Sequence, residues 1–227
     1  RYCCDPVIGD VGRGVFVRPS IPEFMRERAL PAADVITPNQ FELDFLAGRE
    51  TRTMTDAFSA ISALHARGPG AILVTSLHTN ETPADSIDLV ASDGASRFLL
   101  RTPKLPISVN GAGDAIAALF FAHFLQSHSV AQALSKAASS VFGILKRTAE
   151  RNSREILLIG AQVAFYVQNP SYLRLGRREP RLSCSMRERL ARRRERRDIV
   201  AIRVGRRGTS GEIRRPRELR LALGRRG

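Results

Sequence analysis

The chain has 227 residues, 43% of them hydrophobic, enough apolar material for one large domain or two small ones. Its formal charge of +14 looks like a nucleic-acid signature, but the distribution of charge says otherwise. Residues 1–162 carry 16 Lys/Arg and 16 Asp/Glu, whereas residues 163–227 carry 20 Arg, no Lys and six Asp/Glu, so the whole excess belongs to the tail.

The three cysteines, Cys3, Cys4 and Cys184, have neither zinc-ligand spacing nor the pattern of a disulfide framework. A reduced, cytoplasmic setting is expected. No stretch of about 18 apolar residues is present, so no membrane span is expected. No signal peptide is expected. The chain does not begin with Met, and its start reads as a cut edge.

Taken in order, Tyr2 to Cys4 reads as a short strand entering Asp5-Pro6. That places the Asp5 carboxylate at a strand's C-terminal edge, where open α/β sheets bind ligands; the alternative is a turn-forming Asp before Pro. A glycine-punctuated loop follows, then a short helix over Ile21 to Ala29. The strand from Asp34 is stopped by Pro38, and Gln40 to Ala47 forms a helix. Asn39 and Glu42, three apart, face the same side of that helix start. They suit either water-mediated Mg²⁺ binding or a capping box in which Asn replaces Ser or Thr.

Thr55 to Arg67 is an amphipathic helix, and Ala71 to Ser76 a strand buried on both faces. Thr75 and Ser76 bring hydroxyls to its C-terminal edge, to meet a ligand or to end the strand. Residues His78 to Asp85 form a polar loop with the character of a lid. Ser86 to Ala91 and Arg97 to Leu100 flank Ser92-Asp93-Gly94 as a hairpin. Arg101 and Lys104 beyond it are either phosphate contacts or solvated charges.

Asn110-Gly111-Ala112-Gly113-Asp114 then precedes a small-residue helix, Ala115 to Leu125. Glycines before a helix let backbone N–H groups converge, and the helix end adds unpaired donors and partial positive charge. This makes an anion cradle for phosphate, with Asp114 at its rim to take a proton from an attacking hydroxyl. The alternative is a capped turn. Ser129 to Arg147 is a further helix and Glu155 to Ala161 a last strand.

The tail from Val163 lacks the apolar periodicity that would offset the cost of ordering. It reads as disordered, either an arm binding nucleic acid non-specifically through phosphates or an out-of-frame translation of GC-rich sequence.

Cys4-Asp5-Pro6-Val7-Ile8-Gly9-Asp10, Thr37-Pro38-Asn39-Gln40-Phe41-Glu42-Leu43 and Asn110-Gly111-Ala112-Gly113-Asp114 occur in this order. The ordered set resembles the ribokinase-superfamily small-molecule kinases, most closely the pyridoxal kinases, over residues 1–162. The resemblance implies an α/β fold, a ribokinase-like three-layer sandwich with a mainly parallel central sheet, here lacking the family's N-terminal part. It implies ATP-dependent phosphorylation of the 5′-hydroxymethyl group of pyridoxal, pyridoxine or pyridoxamine. By the family pattern Asp114 is the catalytic base and a substrate contact. Gly111, Ala112 and Gly113 form the anion hole. Asn39 and Glu42 organise Mg²⁺ largely through water. Asp5, Thr37, Glu42, Thr75, Arg101, Thr102, Pro103 and Lys104 bind ATP, although Thr75 stands where some relatives have Lys. The implied partners are ATP and a B6 vitamer, and the complete enzyme is expected to be a homodimer. The missing N-terminal region carries most vitamin-side contacts, so the chain reads as an incomplete kinase from a truncated or frame-shifted gene. A hydroxymethylpyrimidine kinase of the same superfamily is the alternative enzyme, and nucleic-acid binding through the tail the alternative without catalysis.

Overall fold

The structure is a computed structural model that describes residues 1–153 and 155–158, together with the backbone of residues 200–206. The strands are β1 (Cys3–Cys4), β2 (Gly9–Asp10), β3 (Gly14–Val15), β4 (Val35–Ile36), β5 (Ala71–Leu77), β6 (Ser86–Ser92), β7 (Ser96–Pro103) and β8 (Val200–Arg206). Six of them form one sheet in the order β1-β4-β5-β6-β7-β8, and β2 and β3 pair as a separate small hairpin. The expected parallel arrangement holds for β1, β4 and β5. From β5 onward the pairing is antiparallel: an eight-residue loop joins β5 to β6 and a three-residue turn joins β6 to β7, both too short for the crossover a parallel return would need.

The helices are α1 (Ser20–Phe24), α2 (Leu30–Ala32), α3 (Gln40–Ala47), α4 (Met54–His65), α5 (Ala112–Ser127) and α6 (Val130–Glu150). Between α1 and α2, Met25–Ala29 widens into a π turn. Pro31, which has no N–H to give a carbonyl one turn back, follows directly. Local chemistry sets the other boundaries. Asn39 with Glu42, and Thr53 with Asp56, close full capping boxes at α3 and α4, and Ser129 caps α6.

The sheet alternation sorts residues into two cores. Ile36, Ile72, Val74 and Val90 face α3 and α4. Val35, Ala71, Leu73, Leu89 and Ala91 face α5 and α6. Side chains of successive strand residues point to opposite faces, so the continuous apolar run of β5 fills both layers. Each fully buried Ile, Leu or Val there stabilises the fold by about 2 kcal/mol.

Several expectations change. The glycine-punctuated loop after Asp5 contains the β2–β3 hairpin. Helix α5 begins at Ala112, three residues before the expected start. The expected last strand is, among the described residues, a single parallel bridge from Glu155 to Asn110, and residues 159–161 lie outside them. Residues 200–206, within the tail expected to be disordered, form an edge strand on β7. Their run Val-Ala-Ile-Arg-Val is rich in β-branched residues, which suit a strand. The remainder of the tail lies outside the described residues, and with it the nucleic-acid and frame-shift readings. No helix of the described residues is long and apolar enough to cross a membrane.

Candidate active site

Three segments converge at the C-terminal edges of β1, β4 and β5. Asp5 follows β1, and its Oδ1 accepts from the Thr37 hydroxyl at 3.0 Å just past β4. Asn39 follows, forming a parallel bridge to Thr75 near the end of β5. The two alternatives for Asn39 and Glu42 resolve locally into a capping box: Asn39 Oδ1 accepts from the Glu42 N–H, and Glu42 Oε2 accepts from the Asn39 N–H. The pair does more than cap. Glu42 Oε1 accepts from the Ile8 N–H at 2.8 Å, and Asn39 Nδ2 donates to the Gly9 carbonyl at 2.8 Å. The Asp5–Asp10 segment is therefore sewn onto the start of α3. Gly9 is required for that approach, since a Cβ there would collide with the Phe41 ring and the Gly14 carbonyl.

The carboxyls of this corner repel one another. Burial pushes the Asp5 carboxyl up, the Thr37 hydrogen bond opposes the shift, and the charge of Asp114 adds to it. Burial likewise raises Glu42, against its backbone hydrogen bonds and with the charge of Asp5. Among the described residues no three His, Cys, Asp or Glu side chains are grouped to hold a metal directly. Glu42 has both oxygens engaged by backbone N–H groups and is 3% exposed. Glu42 is thus no direct ligand, and a cation at this corner would act through water and by its charge, which would relieve the repulsion between Asp5 and Glu42.

The glycine motif sits opposite in character. α3, α4 and α6 are each capped by a side chain, but α5 has none. Its N-cap is Gly111 at φ 87°, a conformation that favours glycine. Around Gly113 an added Cβ would meet nothing within 4 Å. No side chain caps the first turn of α5, where helix N–H groups lack intrahelical partners, and the exposed Asp114 stands beside it.

A cavity of about 550 Å³ adjoins this turn. Of the expected site residues, Thr75, Thr102, Pro103, Lys104, Ala112 and Gly113 line it, while Asp5, Thr37, Asn39, Glu42, Gly111 and Asp114 lie outside its lining. Arg101 is placed otherwise than expected. Its guanidinium grips the fully buried Asp88 carboxylate through two 2.7 Å bonds and donates to the Glu81 carbonyl at 3.1 Å. It neutralises a buried charge, which commits Nε and Nη2 to the sheet and its adjoining loop. Residues 78–85, read as a polar loop with the character of a lid, are tied down in this structure. Thr82 donates to Asp88, the Lys104 N–H donates to the Asp85 carbonyl, and Glu81 accepts from the Met54 N–H, so the loop is fastened to β6, β7 and α4.

Sequence reasoning missed Asp10, His78, Phe142 and Leu145 as cavity residues. Leu145 carried a helical period that reads equally as core. His78 carried only its position directly after β5.

The family model described as phosphomethylpyrimidine kinase matches residues 1–156. The chain is 56% identical over 168 residues to a pyridoxal kinase of Granulibacter bethesdensis, covering 72% of this chain and 59% of that protein. It is similar to a crystal structure of pyridoxal kinase from Entamoeba histolytica, with TM-score 0.65, 28% identity, and coverage of 74% of this chain and 59% of that one. It is also similar to a Plasmodium falciparum kinase structure with the ligands AMP-PNP and PL, with TM-score 0.65, 25% identity, and coverage of 72% and 56%. The chain thus spans under three-fifths of the length of these relatives.

Proposed function

The chain belongs to the phosphomethylpyrimidine kinase family, and from that membership we propose that it carries the nucleotide side of a kinase transferring the γ-phosphoryl group of ATP to the 5′-hydroxymethyl group of pyridoxal or a related B6 vitamer. The observation that carries this reading is the uncapped first turn of α5, at a cavity edge, with Asp114 beside it. Phosphoryl transfer asks a protein mainly for positioning and electrostatic stabilisation. The N–H groups of Ala112 and Gly113 hold the oxygens of the transferring group. The Asp114 carboxylate accepts the proton of the attacking hydroxyl. Thr75, Thr102 and Lys104 line the nucleotide cavity. Asn39 and Glu42, with Asp5 beside them, are the residues that would organise Mg²⁺ through water, and the ion would neutralise the charge of the phosphate oxygens. Cys3 and Cys4 are free thiols, which fits a reducing cytoplasm.

The test is direct. A complete enzyme that contains this chain, given ATP, Mg²⁺ and pyridoxal, should form pyridoxal 5′-phosphate, detectable by mass spectrometry, and the substitutions below are made in that enzyme. Asp114→Asn should lower turnover by about a thousandfold and retain nucleotide binding. Unchanged turnover in that variant would refute the base assignment. The family description favours one second reading, a hydroxymethylpyrimidine acceptor. Product from the pyrimidine alcohol and none from pyridoxal would select it.

A further inference from the structure

The Thr-Pro-Asn-Gln segment contains a residue that the reading above does not use. Gln40 is the first residue of α3, immediately after Asn39. Its side-chain amide closes on the backbone of His78 from both sides: Oε1 accepts from the His78 N–H at 2.9 Å, and Nε2 donates to the His78 carbonyl at 3.1 Å. The same Nε2 donates to the Thr51 carbonyl at 2.8 Å, which fixes the amide itself. His78 is thereby held at a set place directly after the last residue of β5. Its exposed side chain lines the 550 Å³ cavity together with Lys104.

We propose that His78 is a polyphosphate contact of the nucleotide cavity, its imidazole acting with the Lys104 ammonium as a paired cationic wall that becomes complete when the nucleotide enters. This inference rests on the kinase reading and adds a residue that the motif set does not supply. In the free protein the imidazole holds a proton less readily than an ordinary histidine. Partial desolvation where the ring meets the cavity wall depresses its proton affinity, the charge of Lys104 depresses it further, and Asp88 pulls the other way. Asp88 is a weak counterweight because Arg101 and Thr82 already satisfy its carboxylate. Asp10 is the acid of the cavity lining. A polyphosphate brings negative charge to both basic groups and reverses the balance. The imidazole then takes up a proton and donates through both ring nitrogens.

The sign follows from linkage. Binding raises the proton affinity of His78, so nucleotide affinity is greater in acid and falls as pH rises through the pKa of the complex. The nucleotide's terminal phosphate titrates in the same range, so the reading is the difference between wild type and His78→Gln. ADP is titrated into each full-length protein by calorimetry at pH 6 and pH 8, in buffers of different ionisation enthalpy. The wild type should take up more protons at pH 6 than the variant. The variant should bind about tenfold more weakly at pH 6, as expected for one lost charge-assisted hydrogen bond, and nearly equally at pH 8. Equal proton uptake and equal affinity in the two proteins would overturn the role of His78 while leaving the kinase reading intact. Weakening of equal size at both pH values, without a difference in uptake, would also overturn it. A wild-type protein that binds no ADP at all would instead defeat the kinase reading.

Discussion

Asp5 occupies a position that penalises its charge: it is half-buried, within the field of Asp114, and stabilised by one hydroxyl donor. A carboxyl whose folded pKa lies above its unfolded value holds its proton over a pH window in which the unfolded chain has lost it. It therefore subtracts stability above that window, and the subtraction is relieved as pH falls through the raised pKa. Asp5→Asn keeps an acceptor for Thr37 and removes the charge. In metal-free buffer the variant should melt at a higher temperature than wild type near pH 7, and the gap should close as pH falls through the window. A gap that widened in acid would contradict this account. At this scale the sequence was informative where one residue serves two ends. Asn39 and Glu42 were legible as a capping box or as a metal site, two readings of one spacing, and the hydrogen bonds form the capping box. What the spacing did not reveal is that the outer atoms of the box hold Ile8 and Gly9, some thirty residues away in the chain.

Elements show how far pairing, rather than motif, decides a residue's task. β6 and β7 were legible as a hairpin from Ser92-Asp93-Gly94. The register of that hairpin sets Asp88 directly opposite Arg101, and directly opposed opposite charges pair across strands. Arg101 cannot be recognised as structural without that register. Asp88 is fully buried, so removing the guanidinium leaves an uncompensated charge inside the sheet. Arg101→Met should destabilise the fold by about 3 kcal/mol, measured by urea denaturation. It should also free residues 81 and 82, seen as faster amide exchange in that loop. A loss below about 0.5 kcal/mol, typical of an exposed ion pair, would mean that the carboxylate finds water without the arginine. The helix ends carry the complementary lesson. Side chains that cap α3, α4 and α6 are ordinary stability devices, whereas α5 forgoes one at the place where a ligand's anion can supply it.

Across the whole molecule, the two-layered core was readable because β5 is apolar without alternation, which only a strand covered on both faces tolerates. The antiparallel continuation into β8 was not, since its residues lie in the arginine-rich stretch and their partner strand is a hundred residues earlier. One irregularity in the sheet has a consequence for how this fold can change. Between Val74 and Leu77, β5 advances three residues while β6 advances two, from Val90 to Asp88. One residue of β5 is therefore surplus to the ladder, and Ser76, at φ 49°, is the residue turned out of the regular strand conformation. The surplus lets Val74 and Leu77 share a core face although their separation is odd. Removing Ser76 would restore a regular ladder with both side chains still on that face. A chain lacking Ser76 should fold with a melting temperature close to that of wild type, yet bind ADP poorly, because Thr75 and the turn into His78 lose their aim at the cavity. A collapse of the fold on deletion would show that the bulge is structural. A stable, non-binding product would mark this position as a natural indel site, where a lineage can gain or shed ligand recognition by a single codon while its architecture is inherited intact.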